Sequence, residues 1–451
     1  MAGDMTEGGT TGAIVRFSLP MMGGALLQQL YNVVDTLIVS HFIGAGALAA
    51  VGSSYTLMVF LTSVVLGLCM GSGVIFSIYF GAREPDALRR GIFNAFLFIA
   101  AVSFAIFLLA AGNLDRILTL LHIPADIRAD TRDYLRIIFW GIGFTFLYNF
   151  FAAALRSIGN SAVPLAALAV AAAANVALDL LFVLPFGMGV AGAALATVLA
   201  QALSALIVTV YSLLRVPAFR LERADLRLDG RLMVRIMKCS VLSSIQQSVM
   251  NFGILMIQGL VNSFGVAVMA AFAAGVKIDS FAYLPVQEFG NAFSTFVAQN
   301  YGAGKRERIR AGLRASVAGA AAFCLAISAL VAAFARPLME IFVPAGETEI
   351  LAVGIQYLRI EGSCYIGIGL LFLLYGLYRG LERAQMSILL TAVSLGVRVA
   401  LAYALAPIPR IGLQGIWWAI PIGWLLADLT GFLWYGLQRE RLLSPLVRPE
   451  Q

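Results

Sequence analysis

Apolar residues arrive along this chain in long runs rather than at alternating positions. Twelve runs of roughly 20 residues, the length a helix needs to cross a bilayer, follow one another. They lie near 17–40, 53–79, 92–112, 134–156, 163–185 and 190–214, then near 236–262, 268–300, 313–335, 355–380, 386–408 and 413–437. The run at 268–300 is long and contains Pro285, so a bend is expected there. A hydrophilic stretch, 215–235, holds Arg215, Arg220, Arg223, Arg227, Arg231 and Arg235 and divides the runs into two sets of six. The pattern predicts an all-α integral membrane protein of twelve transmembrane helices in two six-helix lobes.

The two sets repeat each other. Phe80-Gly81-Ala82-Arg83 followed by Gly91 returns as Tyr301-Gly302-Ala303-Gly304 followed by Gly312, an offset of 221. At an offset of 223, Tyr134-Leu135-Arg136-Ile137 returns as Tyr357-Leu358-Arg359-Ile360, Arg156 as Arg379, and Gly189-x-x-Gly192 as Gly412-x-x-Gly415. The repeat is too long for a solenoid, and a duplicated membrane unit is how many secondary transporters are built. The expected organisation is a disordered tail over 1–13, an N-terminal lobe over 14–214, a linker over 215–235, a C-terminal lobe over 236–437 and a tail over 438–451.

Composition excludes a soluble chain. Hydrophobic residues make up 61% and charged residues 12%, against about 25% charged in a soluble domain, and the mean hydropathy is +0.90. Lipid is therefore the solvent. The net charge of +7 is no nucleic-acid signal, because the basic residues sit in short loops. With both termini cytoplasmic, 22 of the 31 Lys and Arg fall on the inner side, which sets the expected orientation. The first residues lack the apolar core and cleavage site of a signal peptide. Cys69, Cys239, Cys324 and Cys364 all fall in apolar runs, at spacings that suit neither a disulfide framework nor zinc. His41 and His122 lie at run ends or in loops and give no ligand spacing. Neither a nucleotide-binding loop nor a hydrolase motif is present. The expectation is a non-enzyme without a cofactor, driven by an ion gradient if it is driven at all.

Charges placed inside a membrane are costly and point to function. In the first run Gln28, Asn32 and Asp35 are spaced by 4 and 3 and share a helical face. Pro20 opens that run and allows a bend. In the fifth run Asn175 and Asp179 are four apart, and Thr197 follows in the sixth. Asp35 and Asp179 are the only acids in the first six runs, and no basic residue occurs in 17–40 or 163–214. Read blandly, each acid reaches the headgroups and Asn175 bridges helices. Read functionally, Asp35, Asn175, Asp179 and Thr197 form one pocket whose carboxylates hold a proton or a metal cation such as sodium. The second half keeps the scaffold and not the acids. Asn175 falls on Arg398 and Asp179 on Ala402 at an offset of 223, while Gln28 and Asn32 fall on Gln247 and Asn251 at 219.

The second half carries Lys277, Asp279, Glu288, Glu361, Arg398 and Asp428 within its runs. One reading pairs Lys277 with Glu361, and Asp279 or Asp428 with Arg398. The other lines a substrate cavity with Gln28, Asn32, Lys277, Phe281 and Glu288.

The chain resembles the multidrug and toxic compound extrusion (MATE) family. The resemblance is carried by Ser18-Leu19-Pro20, Asn32-Val33-Val34-Asp35-Thr36, Ala49-Ala50-Val51-Gly52, Phe80-Gly81-Ala82, Arg156-Ser157-Ile158-Gly159-Asn160, Asn175-x-x-x-Asp179 and Val297-Ala298-Gln299-Asn300-Tyr301-Gly302-Ala303. It implies a monomeric, multi-pass protein of the bacterial cytoplasmic membrane that exports small-molecule drugs or organic cations by alternating access, in exchange for sodium ions or protons. It also implies that Asp35 and Asp179 are the acid pair of the N-terminal lobe, with Asn175 and Thr197 as polar companions. A lipid-linked saccharide flippase of the same superfamily is the alternative.

Overall fold

A computed structural model describes residues 3–121 and 123–443. His122, the first two residues and the tail beyond residue 443 lie outside the described residues. The described chain is almost entirely helical and contains no strand.

The helices of the first repeat are α1 (Thr10–Ile38), α2 (Ala45–Gly81), α3 (Pro85–Gly112), α4 (Leu114–Leu120), α5 (Arg128–Trp140), α6 (Ile142–Ser157), α7 (Ala162–Val183) and α8 (Gly189–Arg215). Those of the second are α9 (Gly230–Asn262), α10 (Val266–Gly302), α11 (Arg306–Ala333), α12 (Ala335–Glu340), α13 (Thr348–Gly362), α14 (Tyr365–Gly380), α15 (Ala384–Leu405) and α16 (Gly412–Leu442). Matching helices have matching lengths: α2 and α10 both have 37 residues, α3 and α11 both 28, α6 and α14 both 16, and α7 and α15 both 22.

Among the described residues nine helices are long and apolar enough to span a bilayer, and two bent pairs raise the number to eleven. Helix α1 is not among them, because Gln28, Gln29, Asn32 and Asp35 dilute its apolar face. The bent pairs are α5 with α6, at 42°, and α13 with α14, at 49°. The sequence pattern had merged each pair into a single run. Gly141 sits at the first break, where a Cβ would meet the Gln201 side chain at 2.7 Å. By contrast α10 runs unbroken through Pro285, and α1 through Pro20.

The turns repeat as faithfully as the helices. Left-handed backbone occurs at Gly44 and Gly265, at Arg83 and Gly304, at Gly159 and Glu382, and at Gly189 and Gly412. Every pair is separated by 221 or 223 residues. A left-handed residue other than glycine costs energy, so Arg83 and Glu382 hold a turn that the matching position in the other repeat makes with glycine.

The chain divides into two compact units. One holds Met1–Gly3 and Gly23–Ser244, and the other Asp4–Met22 and Ile245–Gln451. The division cuts α1 just after Pro20 and cuts α9 at Ser244, so the units do not coincide with the lobes expected over 14–214 and 236–437. In the first unit Gly67 and Gly71, one turn apart on α2, let α9 approach closely. A Cβ on Gly67 would lie 2.3 Å from the Ser244 Cα, and one on Gly71 2.5 Å from the Cys239 carbonyl. In the second unit α10 and α14 cross through Gly290 and Gly376, where a Cβ on Gly376 would lie 2.3 Å from the Gly290 carbonyl oxygen. Small residues allow such backbone contact in apolar surroundings.

The expected disordered tail and the linker are both tied down. The expected disordered tail is ordered from residue 3, and α1 already begins at Thr10. The Met5 amide donates to Gln299 Oε1 at 3.0 Å, Asn300 Nδ2 donates to the Met5 carbonyl at 3.1 Å, and Lys305 Nζ donates to the Thr6 carbonyl at 2.9 Å. Arg308 donates to the carbonyls of Met5, Glu7 and Gly8. The tail has no periodicity of its own; its backbone is satisfied by side chains some 300 residues away. The segment after α8 docks on α3, where Arg89 Nε meets Asp225 Oδ2 at 2.8 Å and Asn94 Nδ2 donates to the Arg227 carbonyl at 3.1 Å. At the far end α16 runs on to Leu442, into the expected tail.

Candidate functional site

Helix α7 is built almost wholly of Ala, Leu and Val, and Asn175 and Asp179 interrupt its buried face. Asn175 is 1% exposed and Asp179 is fully buried. Neither the amide of Asn175 nor either carboxylate oxygen of Asp179 has a hydrogen-bond partner. Asp35, half-buried on α1, has a buried and unpartnered Oδ1. The two carboxyls lie close enough to act directly on one another and to share a hydrogen bond if one carries a proton. The phenols of Tyr31 and Tyr134 lie within electrostatic reach of both. Sequence spacing did not single out these tyrosines, although Tyr31 precedes Asp35 by one helical turn and Tyr134 opens one of the repeated motifs.

This is a site with charge and little to neutralise it. Among the described residues no ion pair includes Asp35 or Asp179. A buried carboxylate without a partner is costly, so it is neutralised by a proton or a cation. Two carboxylates, the Asn175 amide and nearby hydroxyls are oxygen donors of the kind sodium accepts. Thr197 is oriented differently from the other three, because its hydroxyl donates to the Ala193 carbonyl of its own helix at 3.0 Å. Gly192 lets α7 and α8 close at their shared corner, since a Cβ there would lie 2.9 Å from the Met188 Cβ and 3.1 Å from the Phe182 Cβ.

The expected cavity residues fall in different units. Gln28 and Asn32 belong to the first, and Lys277, Phe281 and Glu288 to the second. Glu288 accepts from Asn291 Nδ2 at 3.0 Å, and Arg379 Nη2 donates to Asn291 Oδ1 at 2.6 Å, which forms a polar chain from α10 to α14. Lys277 does not pair with Glu361. Its Nζ lies 5.9 Å above the Phe342 ring, and the neighbours of Glu361 are Tyr357 and Arg398.

Asp279 is the buried centre of the second repeat. Tyr357 donates to its Oδ2 at 2.5 Å and Tyr365 to its Oδ1. Phe272 and Trp417 close the site, with the Tyr357 ring 5.4 Å from the first and 4.8 Å from the second. The expected contact of Asp279 or Asp428 with Arg398 is not an ion pair among the described residues. The second unit also has an apolar groove of about 200 Å³ lined by Ile14, Ser18, Met22, Val286, Phe289 and Phe323.

The MatE family pattern matches residues 20–181 and 240–404. The chain is 31% identical to the probable multidrug resistance protein YpnP of Bacillus subtilis over 446 residues, covering 98% of each. It is 26% identical to the probable multidrug resistance protein YoeA of the same organism, covering 95% of each. A transporter of the MOP superfamily from Pyrococcus furiosus shares the fold at a TM-score of 0.93, with 23% identity over 98% of this chain and 99% of that one.

Proposed function

The chain belongs to the MatE family, whose members are membrane transporters and not enzymes, and from that premise we propose that it is a cation-coupled antiporter exporting drugs or organic cations. The names of its relatives support drug export. The observation that carries coupling is the facing pair Asp35 and Asp179, three of whose oxygens are buried and unpartnered. In this reading Asp35, Asp179 and Asn175 take up a proton or a sodium ion, and Thr197 offers an oxygen beside them.

The mechanism follows from linkage. If the cation and the exported molecule favour opposite-facing states, each promotes release of the other. Neutralising the pair removes repulsion between two carboxylates, which changes how α1 and α7 are held together. Helix α1 passes from one compact unit to the other just after Pro20, followed by Gly23 and Gly24. Proline removes one backbone hydrogen bond there and makes that turn the natural place to bend. Gln28 and Asn32 in the first unit, and Lys277, Phe281 and Glu288 in the second, are the side chains proposed to meet the exported molecule, with the Phe281 ring as a soft contact. The protein would sit in the bacterial cytoplasmic membrane with both termini inside, as a monomer.

Dye efflux from vesicles energised by a sodium gradient alone, then by a pH gradient alone, identifies the coupling ion. Undiminished gradient-driven efflux in both Asp35→Asn and Asp179→Asn would overturn the coupling role.

A further inference from the structure

We propose that Arg398 is a resident counter-cation of the second repeat: a fixed positive charge that withholds Glu361 and Asp279 from any ion the protein exchanges. The position is informative. Arg398 on α15 stands in the repeat where Asn175 stands on α7, and Tyr357 stands where Tyr134 does. The scaffold that carries an exchangeable acid pair in one repeat therefore carries, in the other, acids with their cation built into the chain.

The geometry divides the work. Tyr357, Glu361 and Tyr365 are spaced by four and share one face across the α13–α14 bend. The two phenols take one oxygen each of Asp279, which is 4% exposed. That satisfies Asp279 and leaves Glu361, 7% exposed, with an unpartnered Oε2. Arg398, 9% exposed, has an unpartnered Nε, and its charge acts on Glu361 before Tyr357 and Asp279. Among the described residues the two form no ion pair, so the guanidinium acts on the carboxylate through space rather than clasping it. Gly423 lets α16 pack closely on α15 at the base of Arg398, because a Cβ on that glycine would lie 3.3 Å from the Arg398 Cβ and 2.4 Å from the Ser394 carbonyl.

An arginine differs from a bound ion in two respects. It does not lose its proton inside a protein, and it is covalently attached, so it cannot leave during a cycle. The cluster of Asp279, Glu361 and Arg398 then keeps a constant charge while the first repeat gains and loses one; Asp428 on α16, buried with an unpartnered Oδ1, stands outside that cluster. This gives the proposed exchange a single site, and in that sense rests on the reading of Asp35 and Asp179. The test is independent of it.

The experiment uses full-length purified protein carrying Asp35→Asn and Asp179→Asn, so that the first repeat is silent. Into this parent go Arg398→Gln, Arg398→Lys, Glu361→Gln and the pair Arg398→Gln with Glu361→Gln. Thermal midpoints are read in sodium chloride, in choline chloride and on acidification. Arg398→Gln is expected to lower the midpoint. It is also expected to create a response to sodium over choline, or to acid, that the parent lacks. Adding Glu361→Gln should recover most of the loss and abolish the new response, and Arg398→Lys should stay near the parent. If Arg398→Gln does not fold, the double variant should. The proposal is overturned by losses that add in the double variant, by failure of the double variant to fold, or by an Arg398→Gln protein that responds to neither cation.

Discussion

The two repeats share helix lengths, turn positions and a tyrosine at the same place, yet they treat buried charge in opposite ways. In the first, Asp35 and Asp179 face each other with unpartnered oxygens and no basic residue within 17–40 or 163–214. In the second, Asp279 is held by two phenols and Glu361 stands beside Arg398. One arrangement must borrow its positive charge and the other owns it. A duplicated scaffold can thus be specialised by very few side chains, since the helices that position them do not change.

The largest expected contrast comes from neutralising matched acids. Asp35→Asn or Asp179→Asn should lower gradient-driven efflux by roughly 5–150-fold, the span of a typical coupling free energy, while the purified protein stays folded. Asp279→Asn should instead lower the unfolding midpoint and leave the dependence on the driving ion unchanged. Equal loss of ion dependence from both repeats would break the comparison. Next in size is the backbone crossing that each compact unit makes through glycine. Gly71→Leu and Gly376→Leu should each destabilise by about 1–3 kcal/mol or more through overpacking, measured by thermal unfolding in detergent. Tyr357→Phe removes one donor from the buried Asp279 and should cost about 1–3 kcal/mol. Tyr134→Phe, in the first repeat, should cost less, because no hydrogen bond of its hydroxyl to either aspartate is among those described. The smallest effects concern the left-handed turns. Gly304→Ala should cost about 1 kcal/mol, whereas Arg83→Gly at the matching position should be neutral or slightly stabilising.

Much of this was legible in the sequence because the signals were local or periodic. Eleven of the twelve apolar runs correspond to a spanning helix or a bent pair among the described residues, the offsets of 221 and 223 mark the duplication, and a spacing of four puts Asn175 and Asp179 on one face. Other features were hidden because their causes lie far apart in the chain. At the bend between α5 and α6, Gly141 leaves room for the Gln201 side chain, 60 residues on. The order of the first residues depends on Lys305 and Arg308. The expected pairing of Lys277 with Glu361 failed because matching opposite signs along a sequence ignores which faces the helices present. Arg398 was legible as a charge that replaces an amide, but the two phenols that free it for Glu361 come from α13 and α14, and only the fold brings them to Asp279.

The division of α1 at Met22 and of α9 at Ser244 has a practical corollary. A protease cut anywhere in 217–229 yields two fragments, neither of which holds all the residues of one compact body. The leading fragment carries Asp4–Met22, which the other body requires, and the trailing fragment carries Gly230–Ser244, which the first requires. Synthesised separately, each piece would be incomplete, and only the two together in one membrane would regain the native assembly.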